Sequence, residues 1–137
     1  MRLSMLLFLV LIGRLCAAEA LPSDVPTWVL RGILHTETKS SYRSDGLIVY
    51  VDKRRGSAGE RGPFQMTPAA FKQVAVAGER FANLEKDPIF AEYMACKYLV
   101  WLYNRHQSWK RAIEEYNAGP GHRSPGYYRK VACVSKL

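Results

Sequence analysis

The centre of the chain reads Gly56-Ser57-Ala58-Gly59-Glu60-Arg61-Gly62-Pro63-Phe64-Gln65-Met66-Thr67-Pro68. Three glycines within its first seven residues allow positive φ angles and let the backbone approach a ligand closely. An apolar ring at Phe64 beside the amide of Gln65 can stack on a sugar while hydrogen-bonding its substituents. The segment is not a phosphate-binding loop, because it lacks the G-K-[ST] ending. Taken alone, it is equally typical of an ordinary surface loop.

Helical patterns lie on both sides of this segment. Capping residues, prolines near first turns and apolar residues at helical spacing predict five helices. They cover residues 28–39, 67–76, 87–105, from 108 up to Gly119, and a short one from 124. The first is expected to start at Ser23-Asp24 with Pro26 in its first turn.

A small β element is predicted just before the glycine-rich segment. Residues 47–51 are β-branched or aromatic apart from Leu47, and the turn-like run 52–56 follows them, which favours a β-hairpin. No internal repeat or interdomain linker interrupts the chain. We therefore expect one compact, mainly α domain (α+β in detail), with a small hairpin beside a cleft.

The first twenty residues are typical of a secretory signal peptide. A basic start at Arg2 precedes an apolar run over 5–12 and the A-x-A ending Ala18-Glu19-Ala20. The run is too short for a membrane span, which needs about 20 apolar residues. We expect cleavage after Ala20, a mature domain over 21–137, and a location in the periplasm or outside the cell. The membrane would be contacted only transiently, through the signal peptide.

The chain is strongly basic. Its 20 Lys and Arg against 12 Asp and Glu give a formal charge of +8, and 48% of its 137 residues are hydrophobic. This composition excludes a disordered tail, a fibrous repeat and a polytopic membrane protein. The charge favours nucleic acid, an anionic membrane surface or an anionic polymer as partner. Removal of the signal peptide would leave 18 basic and 11 acidic residues, and export disfavours nucleic acid.

Two cysteines would remain after export, since Cys16 would leave with the signal peptide. An even pair in an oxidising compartment predicts a disulfide between Cys96 and Cys133. The alternative is two buried free thiols. The three histidines are far apart in the sequence and no Cys/His spacing is typical of a metal site, so no metal is expected.

Glu37 is the informative residue of the first predicted helix. It lies seven, four and three residues beyond Leu30, Ile33 and Leu34, which places it on the apolar face. Loss of hydration there raises the pKa of a carboxyl group, and the negative end of the helix dipole acts in the same direction. A carboxylic acid that stays protonated near neutral pH suits general acid catalysis. The alternative is a last-turn glutamate turned toward water.

A third segment reads Glu114-Glu115-Tyr116-Asn117-Ala118-Gly119-Pro120-Gly121. By itself it is typical of a helix C-cap. The three segments in this order resemble the lytic transglycosylases of the soluble (SLT-type), goose-lysozyme-like family. That family carries a catalytic Glu usually followed by Ser, a stretch like S-x-A-G-x-x-G-L-M-Q-x-x-P, and A-Y-N-A-G near the domain end.

The resemblance covers nearly all of the mature chain. Its matches are Glu37-Thr38, residues 57–68 and residues 116–119, and the closing run 126–131 also looks like the family. The departures are few: Thr38 replaces Ser but keeps the hydroxyl, Pro63-Phe64 replace Leu-Met, and Glu115 stands where Ala is usual.

The resemblance implies a lysozyme-like fold and a cofactor-free peptidoglycan lytic transglycosylase. Such an enzyme cleaves the β-1,4 bond between N-acetylmuramic acid and N-acetylglucosamine and leaves 1,6-anhydro ends. Glu37 would be the general acid. The residues expected to bind the glycan strand are Ser57, Phe64, Gln65, Tyr116 and Asn117, with Tyr116 hydrogen-bonding near Glu37 and Asn117 also shaping the turn.

Other functions remain open at this point. A lysozyme-type hydrolase would need a second acid, for which Glu60 is the nearest candidate. A non-catalytic, cationic wall-binding or assembly protein could use the same fold. The small exported domain further resembles transglycosylases that open the wall for a secretion, conjugation or pilus apparatus, which would then be a partner.

Overall fold

The fold was obtained as a computed structural model that describes residues 20–134 and residue 136. Within these residues a 3₁₀ turn, Pro22–Asp24, precedes six α-helices and one two-stranded antiparallel sheet. In chain order the elements are α1 Thr27–Thr38, β1 Ser41–Tyr42, β2 Ile48–Val49, α2 Pro68–Val74, α3 Asn83–Lys86, α4 Pro88–His106, α5 Trp109–Ala118 and α6 Pro125–Val134. The prediction of a mainly helical fold with a small hairpin is confirmed.

The predicted signal peptide lies outside the described residues, except for Ala20. In the part of the chain that the structure describes, no helix has both the length and the apolar character needed to cross a membrane.

Three helices begin where the capping pattern predicts. The Thr67 and Ser108 hydroxyls accept the N–H groups of the third residues of α2 and α5, at 3.1 and 3.3 Å. The Asp87 carboxylate accepts two N–H groups of α4, at 3.0 and 3.1 Å. Each bond satisfies a backbone donor that has no partner within the helix.

The predicted start of α1 is wrong. The Asp24 carboxylate accepts the N–H of Leu21 at 2.7 Å, so it closes the separate 3₁₀ turn instead of capping α1. Pro26 occupies the N-cap position of α1, where no side chain makes a capping bond. Proline supplies the extended backbone there, with a φ of −60°.

The hairpin exists, but its turn lies elsewhere. β1 pairs with β2 so that Ser41 faces Val49, and the chain reverses over residues 43–47, not over 52–56 as predicted. Gly46 supplies a φ of +82° in that turn, and the Asp45 side chain accepts the N–H of Leu47. Residues 52–56 instead form a loop that passes close to the end of α1.

The pairing of α1 with α6 positions the site. A Cβ atom at Gly32 would lie 2.5 Å from both the carbonyl oxygen and Cγ1 of Val131, so only glycine permits this approach. On the other side of the core, α4 packs on α5 through fully buried side chains. On these two helices, the largest fully buried apolar side chains are Met94, Leu99, Leu102 and Ile113.

Candidate active site

Glu37 and Tyr127 face each other across the α1–α6 contact. The Tyr127 hydroxyl donates a hydrogen bond of 2.5 Å to Oε1 of Glu37. Gly32 and Val131 touch about one turn away on the same two helices, so the close packing there sets the separation of the pair. Glu37 is partly buried and Tyr127 is 9% exposed. The carboxyl therefore lies on the buried side of α1, as its sequence position predicts.

The surroundings of Glu37 favour its protonated form. Burial raises the pKa of the carboxyl above its usual value, and the nearby negative charge of Glu60 acts in the same direction. The hydrogen bond from Tyr127 and the charge of Arg54 oppose this shift without cancelling it. A protonated carboxyl held in one orientation is the arrangement that a general acid requires.

The tyrosine hydroxyls around Glu37 stay protonated. Burial, and then the proximity of Glu37, raise the pKa values of Tyr116 and Tyr127 well above the ordinary phenol value. Both groups therefore act as hydrogen-bond donors throughout the physiological pH range. Tyr127 is absent from the predicted site residues, although it belongs to the closing run 126–131 that matches the family.

Arg54 links the loop over 52–56 to the end of α1. Its guanidinium donates a hydrogen bond to the backbone carbonyl of Glu37. This carbonyl belongs to the last turn of α1, where acceptors have no partner within the helix. The same guanidinium pairs with Asp52 at 3.1 Å. The Arg54 guanidinium thus caps α1, and its charge lowers the pKa of Glu37, the candidate catalytic residue.

Thr38 joins α1 to the glycine-rich segment. Its hydroxyl is fully buried, 2.9 Å from the carbonyl oxygen of Pro63 and 2.8 Å from the hydroxyl of Ser40. The Ser40 hydroxyl in turn accepts the N–H of Val51 at 3.1 Å. The replacement of Ser by Thr after Glu37 therefore retains a structural hydroxyl.

The glycine-rich segment ends in a tight turn that buries Phe64. Arg61 and Met66 exchange two backbone hydrogen bonds of 3.0 and 3.1 Å around the turn. Gly62 has a φ of +81° and approaches the carbonyl oxygen of Leu84 so closely that no Cβ would fit. The turn sinks into the core as a result, and Phe64 is only 1% exposed. The prediction that its ring lines the sugar cleft is wrong.

The side-chain amide of Gln65 stabilises the same turn. Nε2 donates to the carbonyl oxygens of Arg54 and Gly62 at 3.0 and 2.9 Å, and the residue is 9% exposed with a φ of +46°. This amide holds the Arg54 loop against the turn. The strained backbone is compensated by these two bonds.

Tyr116 reaches the same turn from α5. Its hydroxyl donates to the carbonyl oxygen of Phe64 at 2.8 Å, so it supports the turn and does not bond to Glu37 itself. Asn117 donates to the hydroxyl of Ser124 at 2.9 Å and shapes the link between α5 and α6. Both residues also line a cavity of about 320 Å³ between the start of α2 and the end of α5.

Ser57 and Glu60 lie on the outer part of the segment. Ser57 is exposed and lies in a turn in which the Gly59 N–H donates to the Gly56 carbonyl oxygen at 3.0 Å. The Glu60 carboxylate accepts the N–H of Ala58 at 2.9 Å and occupies the space that a side chain at position 56 would need. Glu60 therefore has a structural role in the loop and is also near enough to Glu37 to raise its pKa.

Glu115, the departure from the family pattern on α5, is fully buried and has partners. One carboxylate oxygen lies 2.7 Å from Nε2 of His106 and 2.9 Å from the Arg111 guanidinium. Its neighbour Glu114 pairs with Arg123, which lowers the pKa of Glu114. Each of the two buried acids of α5 is therefore paired with an arginine, Glu115 with Arg111 and Glu114 with Arg123.

The expected disulfide is not formed. Cys96 and Cys133 are free thiols: Cys96 is buried on the core face of α4, and Cys133 is exposed on α6. Burial and the charge of Glu92 raise the pKa of the Cys96 thiol to about 12. Counting cysteines does not reveal that the two helices present them on different faces.

Comparison with known proteins gives one decisive finding. The transglycosylase SLT domain family matches residues 25–129. The chain belongs to this family. The SLT domain indicates a lytic transglycosylase, an enzyme that breaks glycosidic bonds of peptidoglycan outside the cytoplasm, and the matched region runs from just before α1 into α6. Neither the curated proteins nor the solved structures gave a match.

Proposed function

We propose that this SLT domain cleaves the β-1,4 bond between N-acetylmuramic acid and N-acetylglucosamine with Glu37 as general acid, leaving 1,6-anhydro ends. The supporting observation is the contact between Glu37 and Tyr127. A partly buried carboxyl with a raised pKa is held by a donor that cannot take up its proton. Glu37 is the acid in this chain that combines the family position with this environment.

The reaction needs only the two protonation states of Glu37. The protonated carboxyl gives its proton to the glycosidic oxygen as the C1–O bond breaks. The carboxylate then accepts the proton of the C6 hydroxyl of the same muramyl residue while that oxygen bonds to C1. Glu37 therefore ends the reaction protonated, as it began, and no water is consumed.

Tyr127 and Arg54 both affect the protonation of Glu37. Both favour the carboxylate, the first by its hydrogen bond and the second by its charge, while burial favours the acid. The opposing effects keep the pKa between the two extremes, so the carboxyl can release and regain a proton in each turnover. In this scheme Tyr127 and Arg54 are positioning residues.

We propose that the glycan strand lies against this pair. We place one part of it along the exposed turn of Ser57, and another in the cavity lined by Tyr116 and Asn117. Phe64 and Gln65 act indirectly, since the first is in the core and the second holds the Arg54 loop. The site thus relies on backbone and polar groups more than on a stacking ring.

A lysozyme-type hydrolase is the second candidate, and one observation favours it. Glu60 is close enough for its charge to raise the pKa of Glu37, and a second carboxylate is what a water-activating mechanism uses. Against this, the Glu60 carboxylate already accepts the N–H of Ala58. We therefore give it a structural role.

The decisive variant is Glu37→Gln, which preserves the shape and the bond from Tyr127 but removes the transferable proton. We expect it to abolish cleavage of purified murein while sedimentation with murein stays nearly intact. Activity equal to that of the parent would rule out Glu37 as the acid. An inactive parent would instead favour the non-catalytic wall-binding function.

The cellular setting is likewise a proposal. A cleaved signal peptide over residues 1–20 would deliver the domain to the periplasm or beyond, where a secretion, conjugation or pilus apparatus needs local opening of the wall. Mass spectrometry of the exported protein tests the first point, because the mature N-terminus should be Leu21. Co-purification with components of such an apparatus tests the second.

A further inference from the structure

The link between α5 and α6 folds back onto α5. It comprises residues 119–124, and the His122 N–H donates to the Gly119 carbonyl oxygen at 3.1 Å in a turn within it. Gly119 has a φ of +89°, which glycine adopts readily. The turn brings Arg123 and Ser124, the last two residues before α6, beside the side chains of α5.

An ion pair between Arg123 and Glu114 attaches this link to α5. The Arg123 guanidinium donates to both carboxylate oxygens of Glu114, with a distance of 3.2 Å from Nη2 to Oε1. The Glu114 side chain is completely buried and the Arg123 side chain is 57% exposed, so the arginine covers the acid from the solvent side. A pair with two hydrogen bonds fixes direction as well as distance.

A neighbouring hydrogen bond strengthens the attachment. Asn117 donates to the Ser124 hydroxyl at 2.9 Å. Asn117 lies three residues after Glu114, so the two side chains are neighbours on one side of α5. Two consecutive residues of the link, Arg123 and Ser124, are therefore bonded to the same helix, which fixes the place where α6 starts.

Tyr127 lies between this attachment and the packing of α6 on α1. Arg123 precedes Tyr127 by four residues, and Val131, which meets Gly32, follows it by four. The contact at Val131 alone would leave α6 free to pivot, and the attachment at Arg123 removes that freedom. The 2.5 Å hydrogen bond from Tyr127 to Glu37 depends on this, because such bonds weaken steeply as distance and angle change.

We infer that Glu114 and Arg123 are positioning residues that hold the Tyr127 hydroxyl against Glu37. They act through the start of α6 and are not themselves catalytic residues. The inference rests on the proposed function, because the position of Tyr127 matters for catalysis if Glu37 is the acid.

The test measures the pKa of Glu37 by ¹³C NMR titration of its side-chain carboxyl, in the parent and in variants. Arg123→Gln is the main variant. Arg111→Gln is the matched control, because Arg111 is also the partner of a buried glutamate, Glu115, at 2.9 Å. Arg111 belongs to α5 itself, as do Glu115 and Glu114, which lies 3.6 Å from it. The control therefore removes the same charge without releasing α6.

We expect the pKa of Glu37 to rise in Arg123→Gln, because the hydrogen bond from Tyr127 that lowers this pKa is loosened. Ser124→Ala, which removes the bond from Asn117 without changing any charge, should produce a smaller rise. In a Tyr127→Phe background, Arg123→Gln should cause no further rise, since the bond is already lost.

Three results would overturn the inference. The first is an unchanged pKa of Glu37 in Arg123→Gln. The second is an equal rise in Arg111→Gln, and the third is an undiminished rise in the Tyr127→Phe background. Either of the last two would show that Arg123 acts by its charge alone and not through Tyr127.

Kinetics on soluble glycan strands give a second readout. Arg123→Gln should lower kcat about threefold with KM unchanged, because the acid is less well oriented. A higher KM with an unchanged kcat would overturn the inference and make Arg123 a substrate contact. Arg123→Lys keeps the charge but not the two-pronged geometry, so we expect an intermediate kcat. If the unpaired buried carboxylate of Glu114 prevents Arg123→Gln from folding, Arg123→Lys and Ser124→Ala provide the same comparisons.

The outcome is separable from that of the proposed function. The titration of Glu37 is carried out without substrate, so the role of Arg123 in placing Tyr127 is tested whatever products the parent releases. The products of the parent and of Glu37→Gln decide the proposed function instead.

Discussion

The Tyr127 hydroxyl lies 2.5 Å from Oε1 of Glu37, although the two residues are 90 positions apart in the chain. The contact exists because α6 packs directly on α1 at Gly32. It opposes the effect of burial on the same carboxyl, so one hydrogen bond both orients the acid and limits how far its pKa rises. The contact leads to separate predictions for the pH profile, the stability and the packing of the site.

Tyr127→Phe should move the alkaline limb of the activity profile to higher pH. Glu37 must be protonated to act, so activity falls as pH rises through its pKa, and the lost hydrogen bond had lowered that pKa. We also expect kcat to fall roughly tenfold because the acid is less well oriented. The profile is measured as kcat/KM on soluble glycan strands. Tyr128→Phe is the control, since that ring lies under Lys110 and should leave the limb in place.

Glu60→Gln should shift the same limb in the opposite direction. The Glu60 charge raises the pKa of Glu37, so its removal lowers that pKa. The glutamine can still accept the N–H of Ala58, and we expect activity at mildly acidic pH to be retained. A loss of about a hundredfold or more at every pH would instead identify Glu60 as a second catalytic acid.

Glu37→Gln should be more stable than the parent at neutral pH. The pKa of Glu37 is higher in the folded than in the unfolded chain, so its favourable contribution is present below the unfolded pKa and is lost as pH rises through the folded pKa. Glutamine does not ionise, so the variant does not lose this stability as the pH rises. The difference in Tm between the two proteins should therefore shrink when the pH is lowered to about 4. A difference that is independent of pH would contradict the electrostatic origin.

Gly32→Ala should separate α1 from α6 and disturb the Glu37–Tyr127 contact. Its Cβ would lie 2.5 Å from Val131 atoms, and overpacking of this kind costs about 1–3 kcal/mol. Chemical denaturation and murein clearing should both show a loss. Gly126→Ala is the matched helical control, because the nearest atom to its Cβ is the Arg129 guanidinium at 4.0 Å. It should be neutral or slightly stabilising.

The helices and the candidate catalytic acid, Glu37, could be predicted from the sequence because both depend on local patterns. Capping residues fix the starts of α2, α4 and α5, and the position of Glu37 follows from the apolar stripe of α1. Asp24 misled the prediction because its carboxylate closes the 3₁₀ turn that begins at Pro22 by accepting the N–H of Leu21, and local sequence does not distinguish this role from a helix cap.

The long-range parts of the site were not accessible in this way. Phe64 has the sequence neighbours of an exposed loop residue, and its burial depends on long-range contacts of the turn, such as the approach of Gly62 to Leu84 and the bond from Tyr116. Tyr127 bonds to Glu37 through packing between distant helices, which no local pattern encodes. The thiols of Cys96 and Cys133 differ in exposure for the same reason: each follows the face that its helix presents.

The mass of the products from purified murein tests the central claim most directly. If Glu37 passes the proton between the glycosidic oxygen and the C6 hydroxyl, the parent releases muropeptides with 1,6-anhydro ends, each lighter by one water than a reducing end. Under the same conditions Glu37→Gln should release none. Products with only reducing ends from the parent would contradict the account, because water would then be the nucleophile.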